Sequence, residues 1–336
     1  MSTKNTSRPG RRRVGSRMTG RITAEPATGG AGTVMSVDGV DLHVRADGPV
    51  DGPALLMLHG FGASTAWFDQ IVARLPECRT IRVDLLGHGG SARPTSGYDP
   101  DSQGRLYARL LADLDQNDVT VVGHSMGSIF GVATAEHSTR ITRLVLMGEG
   151  PDTSTGTLPP GEWVIHTPWI GPILQHHGPA FVTKRVVRRA FAPGFDIATA
   201  FANPSQGLDD ARSLNYPAFT QSMRQRQTWT RQLGLDARVD KLALPALVVF
   251  GREDRFYNVD AALVRYRAVR TITTAVLEHV GHTPMIEAPD RVADLIREFL
   301  SADDKPPATP PESADPRRKG SSHDRKPPGR TRPPHQ

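Results

Sequence analysis

The sequence predicts an α/β protein, in which a mostly parallel β-sheet is flanked by helices and carries one helical insertion. Three observations predict this fold class. Short apolar runs alternate with helical patterns through the middle of the chain, as in strands joined by crossover helices. Each run is followed by a loop rich in Gly, His, Asp or Ser. Residues 151–240 break the alternation, because they contain no run typical of a parallel strand.

The first predicted element is a hairpin. Val34 to Val37 and Val40 to Val44 flank Asp38-Gly39, a pair that favours a tight turn between antiparallel strands. Further strands are predicted at 54–58, 80–83, 119–122, 143–147, 246–250 and near 274–277. Because ligands of open α/β sheets bind at the carboxyl ends of the strands, the loops after these strands are the expected location of a site.

Residues 151–240 are predicted to form helices over the carboxyl edge of the sheet. Apolar side chains recur there at helical spacing, at Trp163, Ile165, Trp169, Ile173 and Phe181. An apolar substrate pocket and ordinary buried packing explain Trp163, Trp169 and Phe181 equally well. The same segment carries the basic residues Lys184, Arg185, Arg188 and Arg189. They are interpreted as a solvated helix face in preference to a site for an anionic substrate.

The net charge of +6 is concentrated in the two ends of the chain. Residues 1–22 hold seven basic side chains and no acidic one, residues 302–336 hold eight basic and five acidic ones, and the middle carries −4. Low-complexity basic ends predict disordered segments at 1–33 and, with many prolines, at 302–336. We expect such tails to adsorb weakly to polyanions and to have no specific nucleic-acid partner.

Composition also indicates where in the cell the protein is located. No apolar run approaches the ~20 residues needed to span a bilayer, so no transmembrane segment is predicted. The basic start is not followed by the apolar region of a secretion signal, and export is not expected. Cys78 is the only cysteine, which excludes an internal disulfide and favours a cytoplasmic location. The sequence leaves the oligomeric state open.

The strongest chemical signal is Gly123-His124-Ser125-Met126-Gly127, which follows a predicted strand and precedes a helix expected to begin near Ser128. In this strand–turn–helix context a G-x-S-x-G pattern holds its serine in a strained turn with the hydroxyl exposed. Ser125 is therefore the candidate nucleophile, and an ordinary tight turn is the weaker interpretation.

A second signal is His59-Gly60-Phe61-Gly62, at the end of an earlier strand. Acyl transfer needs donors aimed at the oxygen that becomes negative, and a turn flanked by glycine presents a backbone N–H without steric cost. The predicted oxyanion donors are the N–H groups of Phe61 and Met126. An ordinary glycine-rich connection explains the turn if it is taken alone.

Two further loops supply a carboxylate and an imidazole. Asp254 and His282 each follow a predicted strand, and with Ser125 they give the chain order Ser, Asp, His. A serine hydroxyl needs a base, and the base needs an orienting carboxylate. Asp254 is the predicted acid and His282 the predicted base, while Glu149 is the reserve acid. Glu253 and His279 are interpreted as structural neighbours.

On these motifs, residues from about 34 to 300 resemble the α/β-hydrolase superfamily. The matching stretches are L-L-M-L-H-G-F-G at 55–62, R-V-D-L-L-G-H-G-G-S at 82–91, V-V-G-H-S-M-G at 121–127, G-R-E-D at 251–254 and G-H-T-P at 281–284. The resemblance implies that Ser125, Asp254 and His282 form the triad and that Phe61 and Met126 form the oxyanion hole. It also implies a hydrolase core at 34–150 and 241–301, with a helical lid at 151–240. The stretch at 84–89 matches a loop that shapes the family's site, although a structural turn is the preferred interpretation.

Departures from subfamilies narrow the expected chemistry. Epoxide hydrolases and haloalkane dehalogenases of this fold carry an aspartate where this chain has Ser125, which disfavours them. Carbon–carbon bond hydrolases often have an asparagine where this chain has His124, which weakens that analogy. Lactonases and cofactor-free haloperoxidases share the triad, and acyltransferases differ chiefly in what reaches the acyl-enzyme.

The resemblance thus implies a serine hydrolase that cleaves an ester or similar acyl bond of a small apolar substrate. The sequence lacks the usual zinc, phosphate-loop and dinucleotide motifs, so no cofactor and no metal are expected. A non-catalytic ligand-binding protein of the same fold is the alternative from another class, although the intact triad argues against it. A third hypothesis, nucleic-acid interaction through the basic tails, predicts that binding is lost with the tails.

Overall fold

The computed structural model describes residues 32–157 and 180–302. Its strands are β1 (Thr33–Val37), β2 (Val40–Asp47), β3 (Ala54–Leu58), β4 (Arg79–Val83), β5 (Val119–His124), β6 (Ile141–Met147), β7 (Ala246–Gly251) and β8 (Ile272–Leu277). They form one eight-stranded sheet in the order β1-β2-β4-β3-β5-β6-β7-β8. Helices cover both faces of this sheet, so the predicted α/β fold class is confirmed.

The sheet opens with the predicted hairpin. β1 pairs antiparallel with β2, and β2 pairs antiparallel with β4, whereas all the other strand pairs are parallel. The turn residues Asp38 and Gly39 have φ values of 48° and 81°. Two consecutive positive φ angles match the right-handed twist of the flanking strands, and Asp and Gly tolerate them better than most residues do.

The six parallel-type strands lie where the apolar runs predict them, with small differences at the ends. β6 begins at Ile141 and β8 begins at Ile272, two residues before the predicted starts. The additional residues are Ile141, Thr142, Ile272 and Thr273, and among them Ile141 pairs with Val119 and Thr273 pairs with Leu247. In both strands backbone pairing therefore begins before the predicted start, because a backbone hydrogen bond does not depend on a long apolar run.

The helices are α1 (Asp69–Val72), α2 (Pro100–Asp113), α3 (Met126–Glu136), α4 (Ala180–Arg189), α5 (Gln206–Ser213), α6 (Tyr216–Gln232), α7 (Leu235–Leu242), α8 (Val259–Arg267), α9 (Pro284–Glu287) and α10 (Pro289–Ser301). On one face, the core includes Tyr107 of α2 and Phe130 of α3, both fully buried. On the other face it includes Ile71 of α1 and Ile296 of α10. This two-sided cover explains why β3, β5 and β7 are buried along their whole length.

The predicted insertion contains α4 to α7, between β6 and β7. Four of the apolar residues that predict it, Trp163, Ile165, Trp169 and Ile173, lie outside the described residues. Phe181 is 70% exposed, so the interpretation of this side chain as ordinary buried packing is wrong. The physical reason is the orientation of α4, which turns Val187 toward the core and leaves Phe181 in solvent.

The two segments predicted to be disordered, 1–33 and 302–336, lie outside the described residues except for 32, 33 and 302. Thr33 is the first residue of β1. In the part of the chain that the structure describes, every helix is too short or too polar to cross a bilayer.

Candidate active site

Ser125 lies at the sharp turn between β5 and α3, with φ 49° and ψ −124°. A non-glycine residue in this region carries strain of about 1–3 kcal/mol, which the surrounding packing must offset. The flanking glycines are required sterically. A Cβ on Gly123 would lie 2.5 Å from Cα of Ser128, and a Cβ on Gly127 would lie 2.0 Å from the carbonyl oxygen of Leu58. The turn thus holds Ser125 at the carboxyl edge of the sheet.

Met126 is the first residue of α3, so the helix begins two residues earlier than the predicted start near Ser128. The difference arises because the chain reverses at Ser125 itself, which leaves no loop between strand and helix. An N–H in the first turn of a helix has no partner within that helix. The Met126 N–H, which directly follows the candidate nucleophile, therefore makes no hydrogen bond within the helix.

The turn at 59–62 passes close to Ser125. A Cβ on Gly60 would lie 3.2 Å from Cβ of Ser125. The Gly60 carbonyl lies 2.8 Å from Nδ1 of His59 and accepts a hydrogen bond from Ala63 N–H at 3.3 Å. In a trans peptide the C=O and the following N–H point in opposite directions, and the described chain has no cis peptide. The Phe61 N–H is therefore directed away from His59 and Ala63.

Two buried side chains from the 84–89 stretch support this turn. Nε2 of His88 accepts the Gly62 N–H at 3.2 Å, and burial lowers the pKa of His88 to about 3, which keeps the ring neutral. Asp84 accepts the Thr65 N–H at 2.8 Å and contacts Nδ1 of His43 at 2.7 Å. These contacts are those of a structural turn, and they fix the loop that carries Phe61.

Asp254 and His282 are brought together by the loops after β7 and β8. Nδ1 of His282 lies 2.8 Å from Oδ2 of Asp254, and both side chains are buried. The other Asp254 oxygen accepts the Phe256 N–H at 2.7 Å. Burial opposes protonation of His282, but the charge and hydrogen bond of Asp254, with a smaller contribution from Glu149, raise its pKa above the ordinary value. The pair is therefore arranged to stabilise an imidazolium.

Ser125 and His282 are connected through His124. Nε2 of His124 lies 2.9 Å from the carbonyl oxygen of His282. The Ser125 N–H donates to the carbonyl of Met147 at 2.8 Å, which joins the turn to β6. A Cβ on Gly148 would lie 3.2 Å from Nδ1 of His282, so the histidine packs on the chain that follows β6. Among the described contacts, the Ser125 hydroxyl and the His282 ring share no direct hydrogen bond.

Glu149, the reserve acid, is buried in a separate set of contacts. Its carboxylate accepts a hydrogen bond from the Tyr257 hydroxyl and lies 3.5 Å from Nη1 of Arg226, and its backbone carbonyl accepts from Tyr266 at 2.9 Å. Burial raises the pKa of Glu149 despite these partners. In the described contacts, the carboxylate that bonds His282 is Asp254.

The two residues predicted to be structural neighbours, Glu253 and His279, lie 3.5 Å apart, and the His279 side chain is exposed.

Sequence reasoning did not identify Tyr257 and Arg226 as part of this region. The Tyr257 ring stacks on the His282 ring at a centroid distance of 6.0 Å, and Arg226 extends from α6 in the insertion. Tyr257 lies three residues after Asp254, which is a local signal in the sequence. Arg226 has no such signal, because only the tertiary path of α6 brings it to Glu149.

Within residues 32–157 and 180–302, no group of three or more His, Cys, Asp or Glu side chains is arranged to hold a metal ion.

Comparison with known proteins gives consistent matches. The model of the alpha/beta hydrolase family matches residues 55–295. An uncharacterised protein of Mycobacterium tuberculosis is 28% identical over 267 residues, which cover 74% of this chain and 75% of that protein. The 2-hydroxy-6-oxo-6-(2'-aminophenyl)hexa-2,4-dienoic acid hydrolase of Metapseudomonas resinovorans is 29% identical over 262 residues, covering 74% and 84%. Among solved structures, an esterase from Exiguobacterium antarcticum is similar in fold, with a TM-score of 0.67, 20% identity, and coverage of 81% of this chain and 100% of that one.

Proposed function

Because the chain belongs to the α/β-hydrolase family, a family of hydrolytic enzymes, we propose that it is a serine hydrolase that cleaves an ester or similar acyl bond of a small apolar substrate. The observation that carries the proposal is the buried pair of His282 and Asp254, in which Nδ1 of His282 lies 2.8 Å from Oδ2 of Asp254. The backbone carbonyl of His282 is hydrogen-bonded to His124, the residue before the strained Ser125. A nucleophile, a base and an orienting carboxylate are what acyl transfer to a hydroxyl requires.

The first half of the reaction forms an acyl-enzyme. With Nδ1–H donating to Asp254, Nε2 of His282 is left to take the proton of the Ser125 hydroxyl as Oγ attacks the carbonyl carbon. The Phe61 and Met126 N–H groups hold the resulting oxyanion. Losing one such donor typically costs about 3–4 kcal/mol in the transition state.

The second half returns the free enzyme. His282, now an imidazolium stabilised by Asp254, gives its proton to the leaving alcohol as the tetrahedral intermediate collapses. Water then loses a proton to the same Nε2 and attacks the acyl carbon. Collapse of the second intermediate releases the acid and restores the hydroxyl of Ser125.

We propose that residues 151–240 act as a lid over a core made of 34–150 and 241–301. The support comes from α6, which carries Arg226 to within 3.5 Å of the buried Glu149 beside the candidate triad. Further support comes from Phe219 of the same helix, whose ring contacts that of Phe61 at a centroid distance of 5.1 Å. Both contacts put α6 next to the proposed oxyanion turn and the proposed base.

Hydrolysis of a carbon–carbon bond is the second candidate activity. It is favoured by the similarity to the Metapseudomonas resinovorans enzyme, whose name describes hydrolysis of a dienoic acid. The position before the nucleophile counts against it, because His124 stands where such enzymes often have asparagine. A panel of aryl esters of increasing acyl length, tested beside a 2-hydroxy-6-oxo-dienoic acid, separates the two candidates by kcat/KM.

The main test is covalent labelling with a fluorophosphonate probe. We expect the protein to be labelled and Ser125→Ala to lose both labelling and ester turnover. Ser222→Ala is the matched control, because Ser222 on α6 is also buried and its hydroxyl has no hydrogen-bond partner among the described residues. Unchanged turnover in Ser125→Ala, with Ser222→Ala behaving in the same way, would contradict the mechanism.

We further propose that the protein works in the cytoplasm. Its only cysteine, Cys78, is a buried free thiol, and burial raises its pKa to about 11. A thiol of this kind takes no part in disulfide chemistry at neutral pH, so the fold is indifferent to a reducing environment.

A further inference from the structure

Helix α4 exposes large apolar side chains that the hydrolase reaction does not use. Among the described residues, six large hydrophobic side chains are exposed, and three of them lie on this ten-residue helix: Phe181 at 70%, Val182 at 45% and Val186 at 53%. The other three, Val34, Val50 and Val264, are scattered singly, which is normal for a protein surface. A concentration of apolar side chains on one short helix indicates an interaction surface.

The same helix is strongly basic. It carries four cations and no acidic residue, and the cations are Lys184, Arg185, Arg188 and Arg189. Lys184, Arg185 and Arg188 are exposed. Phe181 and Arg185 are one turn apart on the same side of the helix as Lys184 and Arg188, and Val182 and Val186, also one turn apart, lie next to that side. The outer face of α4 is therefore both cationic and apolar.

Helix α4 is fixed to the fold by Val187 and by its last residue, Arg189. Val187 packs against the core on the α10 side of the sheet. Arg189 donates to the carbonyls of Thr157 at 3.1 Å and Arg255 at 2.6 Å, and its guanidinium lies 5.3 Å from the centroid of the Phe256 ring. The outer face is thus held in a defined orientation by the rest of the protein.

This surface lies beside the candidate active site. The Phe256 ring that packs on Arg189 also contacts the His282 ring at a centroid distance of 4.8 Å. The His282 N–H donates to the carbonyl of Ala190, the residue after α4, at 2.8 Å. A partner that docks on α4 is therefore only one layer of side chains from the candidate base.

We propose that the outer face of α4 docks on the surface of an anionic lipid bilayer. Lys184, Arg185 and Arg188 complement acidic headgroups, while Phe181, Val182 and Val186 can enter the boundary between headgroups and acyl chains. A nucleic acid would pair with the cations but would leave Phe181, Val182 and Val186 in water. The combination of both kinds of side chain on one face therefore favours a lipid surface.

The test measures co-sedimentation of the full chain with vesicles of phosphatidylcholine alone and with phosphatidylglycerol added. We expect binding to the anionic vesicles, weakened about tenfold or more by the combined substitution Phe181→Ser, Val182→Ser and Val186→Ser, since burial of these side chains supplies the apolar part of the affinity. Val264→Ser is the matched control, because Val264 is 70% exposed on another helix, and it should bind like the unmodified protein.

A second variant separates the charge from the apolar contribution. Lys184→Gln with Arg185→Gln should weaken binding to anionic vesicles by about fivefold per charge and should leave any binding to neutral vesicles unchanged. The basic ends of the chain are identical in every variant, so a difference in binding between variants is due to α4. All the substituted side chains are exposed, so the melting temperatures should match.

Two results would overturn the proposal. One is a failure of the unmodified protein to sediment with anionic vesicles. The other is equal binding by the triple-serine variant and by Val264→Ser, with heparin competing fully, which would identify a site for polyanions in place of a lipid surface. Because the measurement is binding and not turnover, it is independent of the role of Ser125.

Discussion

Nε2 of His124 lies 2.9 Å from the carbonyl oxygen of His282, so the residue before the candidate nucleophile is bonded to the loop that carries the candidate base. Burial, together with the charge of His282, keeps the pKa of His124 well below its ordinary value. A neutral ring with Nε2 bonded to a carbonyl carries its proton on Nε2. His124 is thus a fixed donor that sets the separation of the loops bearing Ser125 and His282.

The first prediction concerns this contact. The rings of His124 and Trp67 stack at a centroid distance of 6.4 Å. His124→Phe keeps a ring at this position but removes the donor to the His282 carbonyl. We expect kcat/KM for an ester to fall about tenfold or more, because a buried carbonyl loses its partner and the loop shifts. The measurement is kcat/KM together with the melting temperature. Turnover equal to that of the unmodified protein would mean that the contact does not position His282.

The second prediction concerns pH. The candidate base must be neutral to accept the serine proton, so activity is present above its pKa and lost as the pH falls through it. Because Asp254 and Glu149 raise the pKa of His282 against the effect of burial, the rising limb of kcat/KM should lie above pH 6.5, the ordinary histidine value. A midpoint below 6.5 in the free enzyme would show that burial, not the carboxylates, dominates.

The third prediction separates the two carboxylates. Asp254→Asn should lower kcat by between about 100-fold and 10,000-fold. The His282 imidazolium would lose the negative charge that stabilises it, and the neutral ring would no longer be held in the tautomer that the reaction requires. Glu149→Gln should change kcat far less and should lower the pKa of the rising limb, since Glu149 acts on His282 only through space.

The control for both substitutions is the melting temperature, because each side chain is buried. Near-normal rates in Asp254→Asn, combined with a collapse in Glu149→Gln, would transfer the acid role to Glu149.

The strands and the turn chemistry could be predicted from local sequence. Ala54 to Leu58 is a strand with the same bounds in sequence and structure, since a short run of apolar residues between loops has few other places to be buried. Asp38-Gly39 specifies its hairpin through φ angles alone. The close approach of Gly127 to Leu58 likewise agrees with the glycine pattern.

Contacts made across the insertion could not be predicted in this way. Asp210 of α5 accepts hydrogen bonds from the hydroxyl of Ser64 and from Nε1 of Trp67, both at 2.9 Å, although nearly 150 residues separate them. Nothing local distinguishes Asp210 from the exposed Asp209 beside it. The interpretation of Phe181 as buried packing was wrong for the same reason, because helical periodicity identifies an apolar face but not what covers that face.

The fourth prediction uses this buried aspartate. Burial raises the pKa of Asp210 to about 6, against the effect of hydrogen bonds from Ser64, Trp67 and Gln206. The folded state therefore binds a proton more tightly than the unfolded one, and the stabilisation is present at low pH and lost as the pH rises from about 4 to about 6. Asp210→Asn removes this dependence and keeps an oxygen acceptor.

The measurement is the melting temperature of Asp210→Asn and of the unmodified protein from pH 4 to pH 8. The variant should gain relative to the unmodified protein as the pH rises through about 6. Asp209→Asn is the matched control, since it replaces an exposed carboxylate in the same helix. A constant difference for Asp210→Asn would mean that its carboxyl titrates normally in the fold.

The last prediction separates the basic ends from the enzyme. Residues 1–22 alone carry +7 while the middle of the chain carries −4, so a truncated protein from Thr23 to Ser301 should keep its kcat and melting temperature and lose most of its retention on heparin. Retention of the full chain should fall steeply with salt, because it depends on exposed cations that displace counterions. Binding of the truncated protein to anionic vesicles should persist, since the outer face of α4 also contributes apolar side chains. If truncation abolishes ester turnover, the ends belong to the catalytic unit; if heparin retention is unchanged, the polyanion site lies on the folded middle.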